Sequence, residues 1–292
     1  MVSTPSAAFA ERGTAVAHLP EGRVEYRLEG DGPRTVVVFH GGHARASLPL
    51  GEEVFTEAGF TVLAPSRPGY GRTPLSTGTT AAGFADVTAE LCRTLGVERV
   101  AAVVGVSAGG RTALAMAARH PELVERVVLE SAVAFLPWPH WLVRLGGRVA
   151  FHARLEAGTW AIMRSLLRVA PSLALRLLVR DLSVLPAGRF LGNLSTAERA
   201  TLTGLFTLMR SGSGFVADML PVPDCAAQVG QPALVIASRQ DRSVPFAHAE
   251  SLAAAMPHAE LVESRADSHM IWFGADYPRV AARIGAFLTT DL

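Results

Sequence analysis

Short apolar runs alternate with amphipathic stretches of helical period through most of this chain. Two strands are predicted first, at residues 14–19 and 23–29, with polar positions interleaved as on a half-solvated antiparallel edge. Four runs follow at 35–39, 60–64, 99–106 and 126–130 that are almost entirely apolar, the pattern of strands covered on both faces. Helical spacing fills the gaps at 51–58, 81–95 and 108–120. After a long interruption the alternation resumes, with strands at 233–238 and 259–264 and helices at 245–256 and 277–288. Strand and helix in turn predict an α/β architecture, a mostly parallel sheet of eight strands with helices on both faces.

The interruption, residues 133–223, carries no strand pattern but several amphipathic helical stretches, broken at Pro137, Gly146, Pro171, Pro186 and Gly212. Ser195-Thr196-Ala197-Glu198 is a capping-box pattern that starts one of them. The chain therefore divides into a first core part at 13–132, an inserted helical cap at 133–223 and a second core part at 224–292. No internal repeat or low-complexity tract is present.

One turn stands out chemically. Gly105-Val106-Ser107-Ala108-Gly109 ends the buried strand at Val106 and opens the Ala- and Met-rich helix that Pro121 closes. A G-x-S-x-G between strand and helix is a nucleophile elbow, in which small residues permit a strained turn that exposes the serine hydroxyl. Ser107 is thus the candidate nucleophile.

With that motif the chain resembles an α/β-hydrolase, of the serine-nucleophile, esterase-like kind with a helical cap. The resemblance rests on motifs in a fixed order: Phe39-His40-Gly41-Gly42, Ser66-Arg67-Pro68-Gly69-Tyr70-Gly71, the Ser107 elbow, Ser238-Arg239-Gln240-Asp241 and Asp267-Ser268-His269-Met270. Serine, acid, then histidine is the order this fold uses. It implies His269 as the base that takes the serine proton and returns it to the leaving group, and Asp241 as the carboxylate that orients the ring. Asp267 and, at the end of the sixth strand, Glu130 are rival acids. His248 and His258 read as structural. The implied oxyanion donors are the backbone N–H groups of Gly42 and Ala108. Gly42 leads into His43-Ala44-Arg45 rather than a proline-containing turn, which leaves His43 either solvent-facing or in contact with substrate. Arg67, Tyr70, Trp138, Trp141 and Trp160 complete the candidate substrate contacts. No metal or organic cofactor is implied.

Composition narrows the alternatives. All 27 cationic residues are arginine, so lysine-based Schiff-base, Ser-Lys and P-loop chemistry are excluded. A net charge of +1 without a basic run gives no reason to expect a nucleic-acid partner. Between Phe135 and Val222 ten arginines face four acids, either a solvated helix surface, an attraction for anionic substrates, or a membrane-surface contact. Two cysteines are too few for a disulfide framework, no apolar run reaches the ~18 residues of a membrane span, and residues 1–12 do not read as a signal peptide. A reducing cytoplasm is expected. The expected activity is hydrolysis of a small hydrophobic ester, lactone or thioester through an acyl-enzyme. A thioesterase, acyltransferase or C–C bond hydrolase would use the same residues, and a non-catalytic small-molecule sensor is the alternative of a different class.

Overall fold

The protein is described by a computed structural model that covers residues 9–139 and 141–290, with the backbone alone for 141–143. The first core part runs β1 (Ala15–Leu19), β2 (Gly22–Glu29), β3 (Arg34–Phe39), α1 (Glu53–Glu57), β4 (Phe60–Pro65), α2 (Ala81–Thr94), β5 (Val100–Val106), α3 (Gly110–Arg119) and β6 (Val127–Glu130). Six helices follow: α4 (Trp141–Ala150), α5 (Glu156–Val169), α6 (Pro171–Leu178), α7 (Ala187–Asn193), α8 (Thr196–Leu208) and α9 (Gly214–Asp218). The chain then returns to the sheet through β7 (Ala233–Ser238), α10 (Ala247–Ala255), β8 (Ala259–Ser264) and α11 (Tyr277–Thr289).

The eight strands form one sheet in the order β1-β2-β4-β3-β5-β6-β7-β8. β2 pairs antiparallel with both β1 and β4, and every pairing from β4 through β8 is parallel. Side chains of a strand alternate between faces, and the core divides accordingly. Val37 and Phe39 of β3 join Leu91 of α2, Met116 of α3 and Leu252 of α10 on one face. Val36 and Val38 join Phe55 of α1 and Val280, Ile284 and Leu288 of α11 on the other. Each such fully buried side chain contributes about 1.5–3 kcal/mol of hydrophobic free energy. A third cluster, with Trp160, Phe190, Leu202 and Phe206, packs the helices between β6 and β7 onto Leu48 and Met270. The predicted capping box starts α8: Ser195 Oγ accepts from the Glu198 N–H while the Glu198 carboxylate accepts from the Ser195 N–H.

This topology collects chemistry at one edge. Parallel strands all end on the same side, so the segments after β3, β4, β5, β6, β7 and β8 converge over the carboxyl end of the sheet. No helix among the described residues is long and apolar enough to cross a membrane.

Candidate active site

The turn after β5 is held in a conformation that few residues accept. Ser107 has φ 50°, in the left-handed region, although it is not glycine. Its neighbours explain the glycines. A Cβ on Gly109 would lie 2.0 Å from the Phe39 carbonyl oxygen, and one on Gly105 would lie 2.6 Å from the Gly110 Cα. Only bare backbone lets β5, the turn and α3 approach so closely. The Ser107 carbonyl accepts from the Val133 N–H at 2.8 Å, which anchors the turn to the chain after β6. Ser107–Gly109 forms a 3₁₀ turn continuous with α3, so the Ala108 amide belongs to the first turn of a helix, where N–H groups have no intrahelical partner.

Asp241 and His269 meet above β7 and β8. Asp241 Oδ2 lies 2.6 Å from His269 Nδ1, and Asp241 Oδ1 accepts from the Val244 N–H at 2.8 Å. Both side chains are buried. With Nδ1 directed at the carboxylate, Nε2 is the ring nitrogen left to act as a base. The histidine backbone is tied at both ends, its N–H donating to Leu182 O at 2.8 Å and its carbonyl accepting from Ser131 Oγ at 2.9 Å. Ser131 itself is strained, with φ 48°. Neither rival acid bonds the ring. Asp267 accepts from Asn193 Nδ2 at 2.6 Å. Glu130 is fully buried without a hydrogen bond to His269. Burial, reinforced by the Glu52 and Glu53 charges and opposed by the Trp272 indole, pushes its carboxyl up to about 8. Among the described residues no three His, Cys, Asp or Glu side chains converge as metal ligands.

A family model described as alpha/beta hydrolase fold matches residues 34–159. The enol-lactonase of Burkholderia xenovorans LB400 superposes with a TM-score of 0.66 at 20% identity, over 94% of this chain and all of that one. This chain has the α/β-hydrolase fold. In sequence it is 29% identical to a Bacillus subtilis (strain 168) protein named as the hydrolase YcgS, over 91% of this chain and 94% of that one. It is 27% identical to a Pseudomonas 2-hydroxy-6-oxononadienedioate/2-hydroxy-6-oxononatrienedioate hydrolase, over 87% and 88%.

Within this fold the remaining candidate residues divide. Gly42 borders the site, since a Cβ there would sit 2.9 Å from the Phe215 ring, and Ala108 packs with Val133, Trp138, Phe215 and Val244. His43 is not solvent-facing. Its ring lies among Phe151, Trp160 and Phe215, with centroids 4.7, 5.3 and 3.9 Å away, and Nδ1 is 2.7 Å from Ser211 Oγ. Burial holds its pKa down at about 3, so the ring is neutral. Trp160 is buried and donates to the same Ser211 oxygen at 2.7 Å, while Trp138 donates to the Ser243 carbonyl at 2.8 Å, beside the acid. The side chain of Trp141 lies outside the described residues.

Arg67 and Tyr70, expected as substrate contacts, share one partner. Arg67 grips both oxygens of Asp218 in α9, and Tyr70 donates to the same carboxylate at 2.6 Å. Burial would lower the guanidinium, but Asp218 outweighs it and raises its pKa. These side chains weld the loop after β4 to the helical segment. A cavity of about 120 Å³ lies alongside, with Arg67, Phe84, Ala108, Arg111 and Asp218 in its wall. His248 is structural, as expected: Nδ1 accepts from the Ala134 N–H at 3.1 Å, and burial, aided by Arg111, lowers it to about 4.

A strap at 182–185 carries no motif in the sequence. Leu182 binds the His269 backbone, Ser183 bridges antiparallel to Asp241 and its hydroxyl donates to the Asp267 carbonyl, and the Val184 N–H donates to Gln240 O at 3.0 Å. The helical segment thus touches the loops of both the acid and the base.

Proposed function

We propose that this α/β hydrolase cleaves an ester-type bond, a carboxylic ester, lactone or thioester, in a small hydrophobic substrate through an acyl-enzyme on Ser107. The observation that carries the reading is the 2.6 Å contact of Asp241 with His269 Nδ1, on the same carboxyl edge of the sheet as a strained serine elbow whose Ala108 packs against Val133, Trp138 and Phe215. Ser107 Oγ attacks the carbonyl carbon as His269 Nε2 takes its proton. Asp241 stabilises the imidazolium, and the Ala108 and Gly42 N–H groups receive the oxyanion. Collapse expels the alcohol or thiol, which takes the proton from His269. Water then attacks the acyl carbon by the same route in reverse, releasing the acid and restoring Ser107.

The helices at 133–223 act in this reading as a cap. Trp138, Phe151 and Phe215 supply the apolar wall for the acyl or alkyl group. The buried Cys92 thiol, pushed up to about 12 by burial, and the free Cys225 accord with a cytoplasmic enzyme.

C–C bond hydrolysis is the second reading. It is favoured by Arg144, whose buried Nε has no hydrogen-bond partner and whose Nη2 donates to the Trp138 and Pro139 carbonyls. A cation there suits a carboxylate-bearing substrate such as the one named for the Pseudomonas relative. A panel of p-nitrophenyl esters of graded chain length, run with Ser107→Ala as control, tests the main reading. Release of p-nitrophenol that depends on Ser107 is expected. Labelling by a fluorophosphonate without turnover of any ester would move the assignment to the second reading. No labelling would leave the fold as a binding module.

A further inference from the structure

The outer surface of α5 and α6 is not that of an ordinary solvated helix pair. Ile162 and Val169 of α5 are 71% and 85% exposed, and Leu173 and Leu177 of α6 are about half exposed. Single exposed leucines are common on proteins, but large apolar side chains grouped on one face mark a contact surface. Ile162, Met163 and Leu166 of α5 face Ala174, Leu177 and Leu178 of α6 across an open groove of about 230 Å³, with only Thr159 as a polar residue in its wall. That exceeds the roughly 150 Å³ that admits a benzene molecule.

The segment that carries α5 and α6 has an excess of positive charge. From Arg154 to Asp181 there are five arginines and two acids, the exposed Asp181 and Glu156, which is buried and paired with Arg210. Among the described residues, Arg164, Arg168, Arg176 and Arg180 have no carboxylate within ion-pair range. A second copy is a poor occupant. A two-fold contact would set these arginines against themselves. An interface that is both apolar and negatively charged matches the face on each count.

We infer that the α5–α6 face docks on an anionic lipid surface, with Ile162, Val169, Leu173 and Leu177 entering the headgroup boundary and the arginines meeting lipid phosphates. Apolar insertion and electrostatic attraction combine in such peripheral binding, and the electrostatic part is screened by salt.

Co-sedimentation of the full chain with phosphatidylglycerol vesicles, and with phosphatidylcholine vesicles for comparison, tests the inference. At low salt the protein is expected to partition at least about tenfold more strongly onto the anionic vesicles, an advantage that 0.5 M salt largely removes. Ile162→Glu with Leu177→Glu, and separately Arg168→Glu with Arg176→Glu, should each lower that partitioning about tenfold while circular dichroism and the melting temperature stay unchanged. Equal partitioning onto both vesicles, or none onto either, overturns the proposal. So does a dimer in sedimentation velocity that the Ile162→Glu, Leu177→Glu variant dissociates, because a second copy would then cover the face.

Discussion

Replacing Glu130 by glutamine changes the pH dependence of stability in a direction fixed by its surroundings. The carboxyl is raised from 4.5 to about 8 in the folded chain, mainly by burial. The folded protein therefore holds this proton where the unfolded chain has released it, and linkage makes folding weaken as pH rises between those two values. The stabilisation is complete below the unfolded pKa and gone above the folded one. Each unit between them is worth about 1.4 kcal/mol, so the wild type should lose on the order of 3 kcal/mol from pH 5 to pH 8 through this group alone. Glutamine has the shape of the protonated acid and does not titrate. Urea unfolding of both proteins at pH 5, 6, 7 and 8 should show Glu130→Gln gaining on wild type step by step, by about 1 M in midpoint at the alkaline end. Any constant offset from the substitution drops out of that slope. Parallel curves across the range would refute the burial argument. The same variant bears on the acid assignment, since Glu130→Gln should keep the proposed esterase activity at pH 7 whereas Asp241→Asn should lose about 10⁴-fold in kcat.

Asp218→Ala should lower stability by about 3–5 kcal/mol in thermal or chemical unfolding, because it strands the Arg67 charge and the Tyr70 hydroxyl in the interior. Gly109→Ala drives a methyl group onto the Phe39 carbonyl and should cost about 1–3 kcal/mol or prevent folding, read from the soluble yield and melting temperature. Ser131→Ala removes the donor to the His269 carbonyl. It should reduce kcat about fivefold, corresponding to about 1 kcal/mol, with KM little changed. For His43 the folded pKa is depressed, so its contribution to stability is present above 6.5 and lost as pH falls toward 3; His43→Phe should flatten the acid limb of a stability–pH curve.

The sheet was legible because buried parallel strands and covering helices leave strong periodic signals. The predicted runs at 233–238 and 259–264 coincide with β7 and β8, and the others differ from the observed strands by a residue or two at their ends. Ser107 could be read from its strand–turn–helix setting, as could the approach of Asp241 and His269 from their positions after β7 and β8. The pairing of Arg67 and Tyr70 was not legible because their partner, Asp218, lies some 150 residues away in a helix whose docking no local pattern encodes. His43 was left open for the same reason. The aromatic rings that enclose it come from α5, α9 and the chain between α4 and α5, brought together only by tertiary packing. Ser131 and the strap at 182–185 act largely through backbone groups, which sequence identity records poorly.

That strap limits how an enzyme of the proposed kind can diversify. A chimera that imported a foreign helical segment to gain a new substrate would also exchange the tetrapeptide that registers imidazole against carboxylate. Retaining Leu182 to Leu185 while grafting the flanking helices separates the two inheritances, and admission of substrate is then free to evolve by hinging elsewhere in the roof without disarming the machinery beneath it.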